Sequence, residues 1–232
     1  MTPAQPSDQG PFATLFGLWQ TRPGLCLLAL VLVVCPPLML WVDMPVAEHF
    51  RHHLHVHWEG FFKVVTDIGK ADHWYLLGII AAVFWRFRAA MALHVEDHHA
   101  FMRRFRGWLY FLAVLISSGI AVTLLKALFG RWRPRMWFDQ ELYGFAPLSF
   151  QSSANSFPSG HSQVSMAVAV ALVVLFPRHW PFWLAGGVLI TVSRVATTVH
   201  YVSDVIAGAA LGIAAALIVQ RWFEKRYGPL RP

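Results

Sequence analysis

Polar and apolar positions in this chain fall into long blocks rather than alternating residue by residue. Six apolar blocks stand out: Gly24–Val42, His73–Trp85, Trp108–Leu125, Pro158–Phe176, Phe182–Val199 and Val205–Trp222. Trp108–Leu125 holds eighteen residues and no charge, and Pro177 closes the fourth block. Apolar runs approaching ~20 residues are the pattern of bilayer-crossing helices, which satisfy their own backbone groups in hydrocarbon. The pattern predicts an all-α integral membrane protein with six transmembrane helices, and residues 1–232 read as one domain.

The polar stretches between blocks carry two further expectations. In the 44–72 segment, Trp58, Phe61, Phe62, Val65 and Ile68 share one face of a helix, which predicts an interfacial helix along the membrane surface. Residues 86–107 read as a loop on the opposite side. Ser117, Ser118 and Thr123, inside the third block, are expected to serve helix packing.

Composition agrees with this picture. The chain is 56% hydrophobic and only 13% charged, where an average soluble domain is about a quarter charged. The polar first 23 residues lack a basic n-region and a small-residue cleavage site, so they read as a tail and the first block as a retained helix. Cys26 and Cys35 lie on that helix about 13 Å apart, too far for a disulfide.

Charge sets an orientation. With six spans both termini share a side, and that side collects eleven Lys and Arg against eight on the other. The positive-inside bias therefore predicts cytoplasmic termini. The formal charge of +7 belongs mostly to this inner collar. No aromatic–basic stripe or nucleic-acid motif accompanies it, so no nucleic-acid partner is expected.

The remaining polar residues at the outer ends of the blocks form three constellations. "KALFGRWRPR" follows the third block and holds Lys126, Arg133 and Pro134; Pro158-Ser159-Gly160-His161-Ser162 opens the fourth. "SRVATTVHYVSD" joins the fifth to the sixth and holds Ser193, Arg194, His200 and Asp204. Lys126, Arg133 and Arg194 are cations beside hydrocarbon with few carboxylates near them, so an anion is the expected partner. Guanidinium forks and a lysine point charge suit phosphate oxygens. Pro158 suits a first helical turn, Gly160 lets a ligand approach, and the helix start adds backbone donors for an anion. His200 and Asp204, four apart, predict one helical face on which the carboxylate orients the imidazole for attack on phosphorus. His161 is then placed to protonate the leaving oxygen. These groups require no metal, and no cofactor is expected.

Taken together, K-x6-RP, PSGH and SR-x5-H-x3-D resemble the signature of the type-2 phosphatidic acid phosphatase superfamily, the lipid phosphate phosphatases. Lys126, Arg133, Pro134, Pro158, Ser159, Gly160, His161, Ser193, Arg194, His200 and Asp204 carry the resemblance, within residues 126–204. It implies that Lys126, Arg133 and Arg194 bind phosphate with help from Ser159 and Gly160. It also implies that His161 is the general acid and His200 the nucleophile. Soluble vanadate-binding haloperoxidases share the signature, but six apolar blocks argue against that branch.

The expected protein is a bacterial inner-membrane enzyme that removes phosphate from a lipid at the periplasmic face. Phosphatidylglycerol phosphate, phosphatidic acid, undecaprenyl diphosphate and lipid A 1-phosphate all stand as substrates, because the motifs see phosphate and not the rest of the lipid. A phosphotransferase, or a non-catalytic binding or transport protein for lipid phosphates, would use the same residues. Residues 135–157, with Trp137, Phe138, Tyr143 and Phe145, are expected to line the mouth of the site. Two histidine-rich stretches stand apart. His49, His52, His53, His55 and His57 lack a cysteine or paired carboxylate to close a zinc site. His94, Glu96, Asp97, His98 and His99 read as a solvated cytoplasmic loop.

Overall fold

A computed structural model describes residues 17–230, so most of the expected 1–23 tail lies outside the described residues. The helices are α1 Pro23–Trp41, α2 Asp43–His53, α3 Val56–Ile68, α4 Ala71–Ala90, α5 Val95–Phe129, α6 Pro134–Gln140, α7 Gly160–Leu175, α8 Trp180–Ala196 and α9 Val202–Tyr227. Three of them, α1, α5 and α9, are long and apolar enough to cross a membrane, and α7 is a shorter apolar helix. The six apolar blocks fall on α1, α4, α5, α7, α8 and α9.

At the centre stands α7, packed against α5, α8 and α9, while α1 lies on α9 and α4 on α5. Its Val164, Ala167, Val168, Ala171 and Leu172 interlock with Tyr110, Phe111, Val114 and Leu115 of α5 and with Ala216 and Phe223 of α9. Two glycines set the α7–α9 approach. A Cβ on Gly208 or Gly212 would lie 2.3 Å from the Ser159 or the Gln163 carbonyl oxygen, so only glycine lets the backbones meet there. Ser118 does serve packing across helices: it accepts a 2.6 Å hydrogen bond from Gln163 Nε2. Ser117 and Thr123 bond only to carbonyls of their own helix.

The helical boundaries differ from the apolar blocks where charge begins. Residues 95–107 are not a loop; they are the first turns of α5, and only a short turn separates α4 from α5. The end of a hydrophobic run marks where lipid ends, not where a helix must stop, and no proline interrupts this stretch. Glu96 and Asp97 sit in the first turn, where the helix dipole favours acid. Arg104 lies over the Trp85 ring at 4.5 Å and Arg88 over Phe101 at 5.0 Å, so the charged extensions of α4 and α5 grip each other. His98 Nδ1, 2.8 Å from the Ala89 carbonyl, ties the turn.

The 44–72 segment holds two helices, α2 and α3, instead of one. The apolar face expected on α3 is divided between two neighbours. Val65 is buried and Phe62 half-buried against the bundle, while Trp58, Phe61 and Ile68 are exposed.

Candidate active site

The three motifs meet at one end of the bundle, and each is delivered by an element terminus. Past the end of α8 the chain folds back so that the Arg194 carbonyl accepts from the N–H groups of Val199 (3.2 Å) and His200 (3.1 Å). This closure passes through Thr198 in the left-handed region, φ 52°. It leaves His200 in the turn before α9, not on the helical face with Asp204 that the spacing of four suggests. Asp204 sits in the first turn of α9 and caps it, its Oδ2 accepting from the Tyr201 N–H at 2.9 Å.

The two residues are nonetheless brought together through a third. His200 Nδ1 stands 3.6 Å from Asp204 Oδ2, beyond a direct hydrogen bond. Ser156 Oγ donates to Asp204 Oδ2 at 2.6 Å and lies 3.3 Å from His200 Nδ1. Its one proton is given to the carboxylate, so Ser156 can accept from the imidazole and bridge the pair. His200 Nε2 has no hydrogen-bond partner among the described residues. Burial pushes the His200 pKa down to about 3; Asp204 opposes this, and the charges of Lys126 and Arg133 add to it. The imidazole is therefore neutral, with a lone pair to offer.

At the second motif, α7 begins at Gly160 with Ser159 as its N-cap. The Ser159 hydroxyl accepts from the Ser162 N–H at 3.4 Å and from the Ser162 hydroxyl at 2.9 Å. Pro158 thus precedes the cap and is not in the first turn. Ser159 is fully buried and its N–H donates to the Asp204 carbonyl at 2.9 Å, so it does not offer the free backbone donor expected of it. The N–H groups of Gly160 and His161 remain without partners among the described residues. His161 points beside Gly69, where an added Cβ would come within 3.4 Å of its ring.

At the first motif, α5 ends on Gly130, whose φ of 61° and N–H bond to the Lys126 carbonyl close the helix. A Cβ there would lie 1.7 Å from the Ala146 carbonyl oxygen, so the turn requires glycine twice over. Lys126 Nζ donates to the Asn155 carbonyl (2.8 Å) and side chain (3.1 Å), and its stem reaches α7, 3.6 Å from a Cβ built on Gly160. Arg133 caps α6, with Pro134 as its first residue, and Nε donates to the Ser152 carbonyl at 3.0 Å. Arg194, only 7% exposed, donates from Nη1 to Thr66 Oγ1 at 2.9 Å, and its Nε has no partner. Among the described residues no carboxylate lies within ion-pair distance of Lys126, Arg133 or Arg194.

Other functional-end residues were not singled out from the sequence. Arg131, read as one more outer positive charge, is 1% exposed and joins two carboxylates. Its Nη1 donates to Asp204 Oδ1 at 2.6 Å and its Nη2 to Asp43 Oδ2 at 2.8 Å. Ser203 donates its N–H to Asp43 Oδ1 at 2.9 Å and its hydroxyl to Oδ2, completing the group. Burial disfavours the Arg131 charge, but the Asp204 and Asp43 carboxylates more than offset this and raise its pKa. Tyr143 and Phe145, with Tyr201, surround the Arg131 guanidinium at 5.6, 5.6 and 4.4 Å. A carboxylate just past the first block was the available signal for Asp43, and Asn155, Ser156 and Thr66 offered none beyond being polar.

No side chain of the two histidine-rich segments hydrogen-bonds a motif residue among the described residues. His49 stacks on His53 and His55 on His57. Among the described residues no three His, Cys, Asp or Glu side chains gather as a metal site.

The fold and the clustered motifs define a helical, multi-pass membrane protein with an anion-ready end. A sequence model of the PAP2 superfamily matches residues 107–227, and the chain belongs to that superfamily. It is 34% identical over 159 residues to a lipid A 1-phosphatase of Rhizobium johnstonii, covering 68% of this chain and 65% of that one. It is 33% identical to the lipid A 1-phosphatase of Rhizobium etli, covering 62% and 63%. Over 38% of this chain and 49% of the other, it is 36% identical to phosphatidylglycerophosphatase B of Bacillus subtilis. The chain thus spans somewhat under two thirds of the length of the lipid A relatives it matches. Among solved structures, the transmembrane PAP2-type phosphatidylglycerolphosphate phosphatase of Bacillus subtilis shares the fold, with TM-score 0.65 and 23% identity over 87% of this chain and 96% of that one. Aquifex aeolicus LpxE superposes with TM-score 0.58 at 19% identity, over 78% and 95%.

Proposed function

We propose that this protein is a membrane phosphatase that hydrolyses a lipid phosphate through a phosphohistidine intermediate, without a metal. The observation that carries the proposal is the set of cations Lys126, Arg133 and Arg194, which converge beside His200 and His161 with only neutral oxygens as partners. Three uncompensated charges in a buried setting are costly unless an anion completes them, and phosphate oxygens fit their geometry. His200 Nε2 attacks phosphorus, and the bond to the lipid oxygen breaks as His161 gives that oxygen its proton. Water, deprotonated by His161, then hydrolyses the P–N bond and releases inorganic phosphate. The cations, with the Gly160 and His161 N–H groups, neutralise charge on the equatorial oxygens; positioning and charge stabilisation are most of what phosphoryl transfer needs. Asp204 acts on His200 through Ser156.

The names of the relatives support lipid A 1-phosphate as the first substrate to test, ahead of phosphatidylglycerol phosphate, phosphatidic acid and undecaprenyl diphosphate. The purified chain in detergent, offered each lipid alone, should release inorganic phosphate from at least one of them. His200→Ala should abolish that release while the protein still inserts. Turnover that needs an added acceptor would point to a phosphotransferase, and none on any lipid phosphate would sink the proposal.

The proposed arrangement in the bilayer has α1, α4, α5, α7, α8 and α9 as six spans of a bacterial inner membrane. Both termini are cytoplasmic, the site faces the periplasm, and the exposed apolar face of α3 lies on the outer interface. In a chain freed of Cys26 and Cys35, Gln151→Cys should react with an impermeant thiol reagent on intact spheroplasts. Labelling only after lysis would reverse the topology.

A further inference from the structure

We infer that Thr66, on α3 and outside the stretch that carries the superfamily motifs, is a positioning residue that aims the Arg194 guanidinium at the phosphate. The inference rests on the phosphate-site reading above. Thr66 is the one side chain among the described residues that accepts from Arg194, and it takes Nη1 at 2.9 Å. With Nη1 held, the edge formed by Nε and Nη2 is what remains, and Nε is buried with no partner. That edge is the one that grips two oxygens of an anion side by side. Thr66 therefore decides which edge of the fork faces the ligand.

The threonine is itself held. Ser193 Oγ lies 2.6 Å from the Ile190 carbonyl and 3.0 Å from Thr66 Oγ1. Ser193 is the donor of both contacts, so Thr66 Oγ1 accepts from Ser193 as well as from Arg194. The Thr66 oxygen is thus shared by Arg194 and Ser193, and an acceptor at position 66 ties the end of α8 to α3. Three residues on, Gly69 brings the end of α3 against both α8 and α7: a Cβ there would stand 2.6 Å from Ile190 and 3.4 Å from the His161 ring. One short helix touches the arginine directly and flanks the histidine. Repulsion from Lys126 and Arg133, with no carboxylate within ion-pair distance of Arg194 among the described residues, gives such a tether work to do.

The test uses the full chain in detergent with the best lipid from the panel, and inorganic orthovanadate as a probe read by calorimetry without turnover. Thr66→Val is isosteric and removes the hydroxyl; Thr66→Ala removes it while opening space. Both should weaken vanadate binding about tenfold, the worth of one hydrogen bond to a charged group. Both should also raise KM, and Thr66→Ser should restore wild-type values. Unchanged vanadate affinity in the Val and Ala variants, with wild type binding normally, would overturn the inference and leave the phosphatase reading standing. So would equal losses in all three variants, or failure of both Val and Ala chains to fold, since either outcome marks a structural role. A wild-type chain that neither binds vanadate nor releases phosphate would overturn both readings.

Discussion

Arg131 and Arg133 stand two residues apart in one motif and meet opposite surroundings. Arg131 is 1% exposed, and two carboxylates, Asp43 and Asp204, share its guanidinium. Arg133 is half-buried and, like Lys126 and Arg194, has only neutral oxygens for partners. Burial alone therefore does not tell a structural cation from one that waits for a ligand. What tells them apart is whether the protein supplies the opposite charge itself. The paired region ends at Asp204 and the unpaired one starts at the same turn, so the neutral His200 sits on the seam between them.

The largest effect should come from breaking the paired side. Arg131→Met leaves Asp43 and Asp204 buried without a cation, and removing one partner of a buried ion pair costs about 3–5 kcal/mol. Arg133→Met loses one hydrogen bond to a carbonyl and should cost no more than about 1.5 kcal/mol. Thermal unfolding in detergent measures both. Equal destabilisation would erase the distinction between the two arginines.

Next comes the unpaired side, read by rate rather than stability. Arg133→Met and Arg194→Met should each lose about 10²–10³-fold in kcat, the usual loss when one preorganised donor to a developing charge is removed. Their melting temperatures should stay near wild type. A variant of either arginine that turns over at the wild-type rate would show that the cluster does not hold phosphate.

Why the sequence revealed one region and hid the other follows from these surroundings. Lys126, Arg133, His161, Arg194, His200 and Asp204 stand at helix ends that flank apolar blocks, so the topology alone brought them to one side. The Arg131–Asp43 pairing joins residues 88 positions apart, and no local pattern announces a tertiary ion pair. The spacing of four between His200 and Asp204 implied a helix, yet the Arg194 carbonyl closes α8 before that helix begins. Ser156 stands between them instead. The apolar blocks found the helices but not the charged first turns of α5, since hydropathy reports the lipid and not the hydrogen-bond ladder.

A smaller effect concerns the seam. The folded-state pKa of His200 is about 3, against 6.5 for the unperturbed side chain. Between those values the unfolded chain binds a proton that the folded chain does not. Stability from this residue is therefore complete above pH 6.5 and is lost as pH falls. At 1.36 kcal/mol per unit, moving from pH 7 to pH 5 should remove about 2 kcal/mol. His200→Gln should lack that component, so its unfolding temperature should fall less than wild type over the same interval. Parallel curves would mean that the histidine is not held neutral.

The smallest expected effect is that of a chelator, and the comparison says why. A magnesium site would need free carboxylates, but Asp43 and Asp204 are already bound to Arg131, Ser203, Ser156 and the Tyr201 N–H, and Asp67 is paired with Lys70. The groups left over are cations, which repel a metal and attract the phosphate it would otherwise neutralise. The nucleophile is an imidazole, so no metal-bound water has to be generated. Phosphate release should therefore be unchanged in excess EDTA. Orthovanadate should inhibit, because bonded to His200 it would place five-coordinate, transition-state-like oxygens among Lys126, Arg133 and Arg194. Loss of activity in EDTA, restored by added magnesium, would show that the unpaired cations do not carry the charge alone and would overturn the proposed mechanism.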